Sequence, residues 1–438
     1  MQRIFLCWLV MLMLWPAGNL WADESTELNE LRAELTQLRT EYEARIAALE
    51  QRLAAAEVRV PPPKTAAANV ADAAGNPRAF NPAIGLVLNG RAQSFSRGGD
   101  DSIPGFATGE EAGRGPEGFS LGESELDLTA NIDDKFYGAF TGTFTSEDGK
   151  DSVGIEQAYI QTTALPGGLS LKMGRDFSAV GYLNEFHAHA DDFVDRPLPY
   201  RAFLNGQYAD DGIQVRWLPP IGQYVELGGE LLRGDQFPVG GASNSGAGAW
   251  SLFARTGGDV GYSNSWQAGL GYLSTESDGR ETGNGDVFTG DSDLLIAHLV
   301  WKWAPNGNPT VHNFKFQAEA FWRNEDGSFT PAGLAPTPYD EHQTGWYAQT
   351  IYQFRPQWRA GIRYAGLSAN DPGAAFDGTT LDTLGHDPYS WSAMVDWSNS
   401  EFSRIRLQYS LDESQPHTDN QWMLQYIYSL GAHGAHQF

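Results

Sequence analysis

Apolar residues follow three different spacings along this chain of 438 residues. The first is an unbroken run from Ile4 to Trp15, preceded by Arg3 and followed by Pro16, Gly18 and Ala22 ahead of Asp23-Glu24. A basic start, a short greasy stretch and a small residue at its end make residues 1–22 a secretory signal cleaved after Ala22. As a membrane anchor the run is too short, at roughly a dozen residues where a spanning helix needs about 20. The second spacing is helical. Leu28, Leu31, Leu35, Leu38, Tyr42, Ile46, Leu49, Leu53 and Ala56 return every three or four positions, with a stutter between Tyr42 and Ile46. A stripe this narrow, polar on its other sides, predicts a coiled coil within residues 23–57, its core in 27–57, where copies of the chain associate. Dimer, trimer and tetramer remain open on this pattern alone. A lone helix resting on the rest of the protein is the competing reading. Residues 58–81 hold a proline run and an Ala/Asn tract and read as a linker.

From Pro82 the period becomes two. Ile84, Leu86 and Leu88 alternate with Val87, Asn89 and Arg91, and Leu126, Leu128 and Ala130 with Glu125, Asp127 and Thr129. Phe314, Phe316, Ala318, Ala320 and Trp322 alternate with Lys315, Gln317, Glu319 and Arg323. Trp422, Leu424, Tyr426, Tyr428 and Leu430 continue the rule to a terminal Phe438. About sixteen such strands fit residues 82–438, at roughly 22 residues per strand and connection. The signal is weakest near Val153 and Ala247. Short turns (Asp133 to Lys135, Leu165 to Gly168, Leu218 to Gly222, Ala304 to Thr310, Arg355 to Gln357, Ser398 to Glu401) alternate with long loops. The long ones are Arg97 to Gly118, Ser178 to Gly206, Asp235 to Gly246, Thr275 to Ser292, Asn324 to His342 and Ser368 to Asp387. Antiparallel strands put successive connections at opposite ends, so one end is trimmed and the other elaborated. That asymmetry predicts an all-β fold, a transmembrane antiparallel β-barrel in the outer membrane of a Gram-negative cell, with the coiled coil on the periplasmic side. A soluble sandwich or propeller has no reason to segregate loop lengths. Phe119, Trp217, Trp266, Trp303, Trp322, Trp346, Trp358, Trp397 and Trp422 sit near strand ends, where they would form interfacial girdles against lipid. Phe438 closes the last strand and has the look of a signal read by barrel-assembly machinery.

Charge and cysteine use narrow the partners. The net charge of −26 excludes nucleic acid, whose phosphates need a basic surface. The sole cysteine, Cys7, lies within residues 1–22, so disulfides and cysteine metal sites are not expected after cleavage.

Three stretches carry a family resemblance: LSLKMGRDFSAVGYLNE (Leu169 to Glu185), WYAQTIYQFRPQWRAGIRYAG (Trp346 to Gly366) and EFSRIRLQYS (Glu401 to Ser410). Together with the signal, coiled coil, linker and barrel length, they resemble the phosphate-selective porin O/P group. The resemblance implies a sixteen-stranded trimeric porin that passes small hydrophilic solutes or ions by diffusion, with no enzymatic activity. Anion selectivity does not carry over, because no arginine–lysine ladder matches residue by residue. A plugged receptor of 22 strands does not fit the barrel's length.

If the apolar set faces lipid, the alternate set faces the pore. Arg91, Glu123, Glu125, Asp127, Lys172, Arg216, Lys315, Glu319, Arg323, Arg359, Arg363, Arg404 and Arg406 are then pore-lining, with Glu226, Glu230 and Lys302. Acidic early strands would face basic late strands. This arrangement either sets up a transverse field across the pore or pairs up to stiffen the wall. The loop after the fifth strand, Ser178 to Gly206, is the expected constriction. Its FHAHADDFVDRP segment carries His187, His189, Asp191 and Asp195, the side-chain types of a zinc or other divalent site. Hydrogen-bonded loop residues are the plainer account, and no other cofactor is implied. An outer-membrane hydrolase lacks a G-x-S-x-G nucleophile setting here. A zinc-linked receptor without a plug and a barrel-anchored periplasmic tether are the remaining alternatives to a porin.

Overall fold

The computed structural model describes Thr40 and residues 82–98, 101–147, 150–240 and 246–431. The chain divides into two units, Met1–Ala79 and Phe80–Phe438. The expected signal, coiled coil, linker and terminal Phe438 lie outside the described residues, Thr40 excepted.

The second unit contains β1 (Ala83–Phe95), β2 (Gly118–Asn131), β3 (Phe136–Glu147), β4 (Lys150–Thr162), β5 (Leu169–Phe177), β6 (Ala209–Trp217), β7 (Tyr224–Leu232) and β8 (Ala249–Val260). It continues with β9 (Asn264–Glu281), β10 (Val287–Trp303), β11 (Asn313–Thr330), β12 (Thr337–Arg355), β13 (Trp358–Ala369), β14 (Tyr389–Ser400), β15 (Ser403–Glu413) and β16 (Asp419–Gly431). Each strand pairs antiparallel with its sequence neighbours. The ring closes between β1 and β16, in register from Gly85–Gly431 to Phe95–Gln421.

Closure reverses the usual meaning of burial. On β16 the exposed set is Trp422, Leu424, Tyr426, Tyr428 and Leu430, while Gln421, Gln425 and Ser429 are buried. Greasy outside and polar inside is the pattern of a membrane barrel. The tryptophans form two bands. Trp217, Trp266, Trp301, Trp303, Trp358 and Trp397 stand near the short-turn end, and Trp250, Trp322, Trp346, Trp391 and Trp422 near the other. Between Trp301 and Leu295, the β10 partner of Trp322, the strand advances about 20 Å at ~3.3 Å per residue. Ring contacts tie the upper band: Trp346 to Tyr364 at 5.0 Å, Tyr364 to Trp391 at 4.7 Å, and Tyr409 to Trp422 at 4.9 Å.

Two expected loops are largely strand. β9 continues to Glu281 and β10 opens at Val287, while β11 continues to Thr330 and β12 opens at Thr337. Their Gly, Asp and Ser content reads as loop, but inward-facing Phe288, Phe329 and Tyr339 pack on Phe376, Leu381 and Ala107 and hold the hairpins in register.

The early strands carry register shifts. On β2, residues 122–123 face a single residue of β3, an extra residue that forms a β-bulge. Phe119, 95% exposed, and the buried Glu125 thereby face opposite sides although both are odd-numbered. A second bulge leaves Glu156 of β4 as the extra residue, since Thr141 pairs with Gln157 but Gly142 with Ile155. β4 meets β5 over only four pairs, Ala158–Arg175 to Gln161–Lys172, because the chain leaves the wall after β5.

An arginine on the outer face should be costly in proportion to its depth. Leu424→Arg, mid-strand, is expected to lower unfolding stability in lipid vesicles by about 2–4 kcal/mol, and Asn420→Arg near the strand end by about 0–1 kcal/mol, read by denaturant titration.

Candidate functional site

Residues 178–208, between β5 and β6, cross the inside of the cylinder. The crossing begins with a closed base. Asn184 donates from Nδ2 to the carbonyls of Ser178 and Tyr208, both at 2.8 Å, and its Oδ1 accepts the Tyr208 amide at 2.8 Å. Arg196 gathers the middle, donating to the Leu183 carbonyl at 2.7 Å and pairing with Asp191 at 2.7 Å. Helix α1 (Leu198–Leu204) carries Pro199 in its first turn, where the missing amide hydrogen costs no helical bond, and ends at Asn205 in the left-handed region at φ 53°.

One face of this segment is apolar. Leu198, Tyr200, Phe203 and Leu204 pack on Leu273, Leu294, Ile296, Phe321, Tyr347 and Leu367 of the inner wall. Phe203 stacks on Phe321 at 5.9 Å, and Phe106 of the loop after β1 meets Phe203 edge-on at 5.7 Å. The wall makes room by leaving out side chains. A Cβ on Gly345 would lie 2.9 Å from the Phe203 ring, and one on Gly271 3.1 Å from the Val180 Cα. The inner surface of β9 to β13 is therefore a docking surface for the loop rather than a wet wall.

The other face is charged, and the wall answers it group by group. Glu230 accepts the Ala179 amide at 2.9 Å, and Glu319 accepts the amides of Tyr182 at 2.8 Å and Leu183 at 3.0 Å, with the Tyr200 hydroxyl at 3.1 Å. Glu185 pairs with Arg216 and Arg255. Asp192 pairs with Lys315, and with Arg359 at 3.0 Å; Asp195 pairs with Arg363 at 2.7 Å. Arg406 donates to the Asp191 carbonyl at 2.6 Å, and Arg404 to the His189 carbonyl. Burial works against charge on Glu185, but Arg216 and Arg255 hold its pKa down to about 2. Burial likewise opposes the charges of Asp192 and Asp195, and their cationic partners hold both below the usual carboxylate range.

At the β2–β4 side the segment presents two histidines. His187 Nδ1 lies 3.0 Å from Glu125 Oε2 and 2.9 Å from Glu156 Oε2, and His189 Nδ1 lies 2.7 Å from Glu125 Oε1. The two rings stack at 5.5 Å. Burial disfavours the imidazolium, yet hydrogen bonds to Glu125 and Glu156 carry the His187 pKa well above its ordinary value.

The inward residues named from sequence are on the inner side, but most are occupied. Lys172 pairs with Asp176, and Asp127 accepts from Thr141 at 2.8 Å. Arg323 is covered by Phe203, its guanidinium 5.0 Å from that ring. Arg91 stands beside Glu123. Of the four expected metal ligands, His187 and His189 come together. Asp191 and Asp195 do not join them: Arg196 and Arg363, two oppositely charged groups within reach, take them instead. Glu156, Glu185 and Arg255 were missed. The apolar inner wall had a readable signal in the consecutive Leu294-Leu295-Ile296 and Phe321-Trp322, which break alternation as strands covered on both faces do.

No family model matches the sequence. An uncharacterised protein of Aquifex aeolicus (strain VF5) is 31% identical over 394 residues, spanning 82% of this chain and 81% of that protein. The chain belongs to the same family as this protein. Among solved structures, the outer membrane channel DcaP of Acinetobacter baumannii superposes with a TM-score of 0.51 at 14% identity, over 80% of this chain and 97% of that one. The anion-selective porin from Comamonas acidovorans gives 0.51 at 10% identity, over 80% and 99%. Salmonella typhi OmpF, in complex with daunomycin, gives 0.50 at 12%, over 80% and 97%. At these identities the likeness is one of fold, the closed porin barrel.

Asp192→Ala removes one partner from a buried cluster and is expected to cost about 3–5 kcal/mol of unfolding stability at pH 7. A carboxylate held below its unfolded value contributes fully above about pH 4, and the contribution fades as pH falls through the folded value. The gap between wild type and variant should therefore persist at pH 5 and close only in stronger acid, as measured by denaturant titration at each pH.

Proposed function

We propose that this protein is an outer-membrane porin that passes small hydrophilic solutes or ions by diffusion, without chemistry. The observation that carries this reading is a closed sixteen-stranded cylinder, apolar outside with two tryptophan bands, whose interior is bridged by a segment with one apolar and one charged face, tied to opposite walls. Water and solute would pass through the part of the lumen that residues 178–208 leave open. The carboxylates on that segment neutralise much of the arginine wall, which favours a weak ion preference over a strongly anionic one. Similarity to the phosphate-selective porin O/P group supports the same reading without its anion selectivity. Residues 1–22 direct export, residues 58–81 act as a linker, and residues 27–57 trimerise the chain in the periplasm. Phe438 is offered to the assembly machinery.

Purified protein in a planar bilayer should give stepwise conductance, with reversal potentials in a salt gradient reporting the ion preference. Folded protein that produces no steps would overturn the channel and favour a receptor or tether. Deleting residues 27–57 should leave conductance per barrel unchanged while converting trimers to monomers in detergent, as read by light scattering.

A further inference from the structure

Two of the bulged residues on the early strands converge on one spot. Glu123 lies in the β2 bulge and Glu156 is the extra residue of β4. With Glu125 between them, each offers a carboxylate oxygen within 4.8 Å of the others. His187 and His189 close the opposite side, and their ring nitrogens lie within 4.8 Å of each other and of a Glu125 oxygen. Bulges re-aim side chains, and here both aim carboxylates at the same place.

Charge balance in this cluster is conditional. Three carboxylates face two imidazoles and Arg91, so they are neutralised only while both imidazoles carry a proton. His187 Nδ1 carries at most one hydrogen and faces two carboxylates, at 2.9 and 3.0 Å. Glu123 Oε1 is buried with no hydrogen-bond partner among the described residues. A buried carboxylate oxygen without a hydrogen bond is costly, and a dication held by neutral imidazoles supplies the charge that their protons otherwise provide.

We propose that His187, His189 and Glu125, backed by Glu123 and Glu156, form a site for a zinc-class divalent cation. Two imidazoles and a carboxylate are a set that zinc accepts, whereas magnesium and calcium favour oxygen ligands alone. With bonds of about 2.0–2.2 Å, tetrahedral ligand atoms stand roughly 3.3–3.6 Å apart. The present His–carboxylate contacts of 2.7–3.0 Å need to open by only about half an ångström when the ion replaces the shared protons. Bound there, the ion staples the crossing segment to β2 and β4 and adds positive charge beside the solute path. Its effect on transport rests on the porin reading; binding itself does not.

The test uses the full chain in detergent, stripped with EDTA and titrated calorimetrically with zinc chloride alone. One ion per chain is expected, with at least about tenfold weaker binding in both His187→Ala/His189→Ala and Glu125→Gln. Asp191→Asn, outside the ligand set, should bind as wild type does. Heat-modifiable electrophoretic mobility confirms that each variant is folded, and Glu156→Gln provides a milder second probe, expected to weaken zinc binding. Absence of stoichiometric uptake, equal affinity for magnesium, or undiminished zinc binding by the folded histidine double variant overturns the site. In a bilayer, micromolar zinc should reduce wild-type conductance and leave the double variant unaffected; equal reduction in both would also count against the site. A barrel that binds zinc as described but never conducts keeps the site and removes the porin.

Discussion

A sheet in hydrocarbon has to finish its own hydrogen bonding, because no solvent is available to complete an open edge. In this chain that requirement is met by the match between β1 and β16, strands at opposite ends of the described sequence. With no edge left, faces are the remaining choice. One face takes the exposed leucines and tryptophans of the strands, and the other must accommodate whatever polarity the strands carry. Ion pairs, loop docking and bulges are all adjustments on that second face.

The crossing segment shows how the inner face is used. Its apolar side rests where β9 to β13 supply phenylalanine, isoleucine and glycine, and its charged side meets arginine, lysine and glutamate from β2, β4, β6, β7, β8, β11, β13 and β15. The arrangement is not a loop that happens to fall inward. Each attachment is a buried polar contact that costs free energy if left unmatched, so the segment and the wall specify one another. Of the two charge schemes open at the sequence level, pairing within the wall is present, and pairing with the crossing segment is added to it. Wall charges pair with one another, as Arg359 does with Asp396 and Arg280 with Glu325, and also with the segment, so any transverse field is what both sets of pairs leave over.

Much of the fold was legible because period two survives wherever one face meets lipid. β16 and the first half of β11 keep their apolar residues outward at every second position, and the inward-folding loop after β5 was expected at its place. The hairpins β9–β10 and β11–β12 were not, since glycine and aspartate near Asp291 and Asp326 look like loop when the phenylalanines that pin them act across the barrel. Site residues divide in the same way. His187 and His189 were readable from their spacing, as i and i+2 positions. Their partners Glu125 and Glu156 are separated from them by tens of residues and reach them only through the sheet. Asp191 and Asp195 share the histidines' segment yet turn to other cations, because adjacency in sequence says nothing about which wall a loop residue meets.

The bulge in β2 also sets a counting rule. Even- and odd-numbered residues exchange sides at Gly122 to Ser124, so membrane-facing and water-facing positions on this strand belong to two different numbering parities. Deleting a single residue there would leave composition and hydropathy almost untouched while rotating half the strand, driving Phe119 into the cavity or Glu125 into the bilayer. Substitutions at this point are a local matter; changes in length are a topological one.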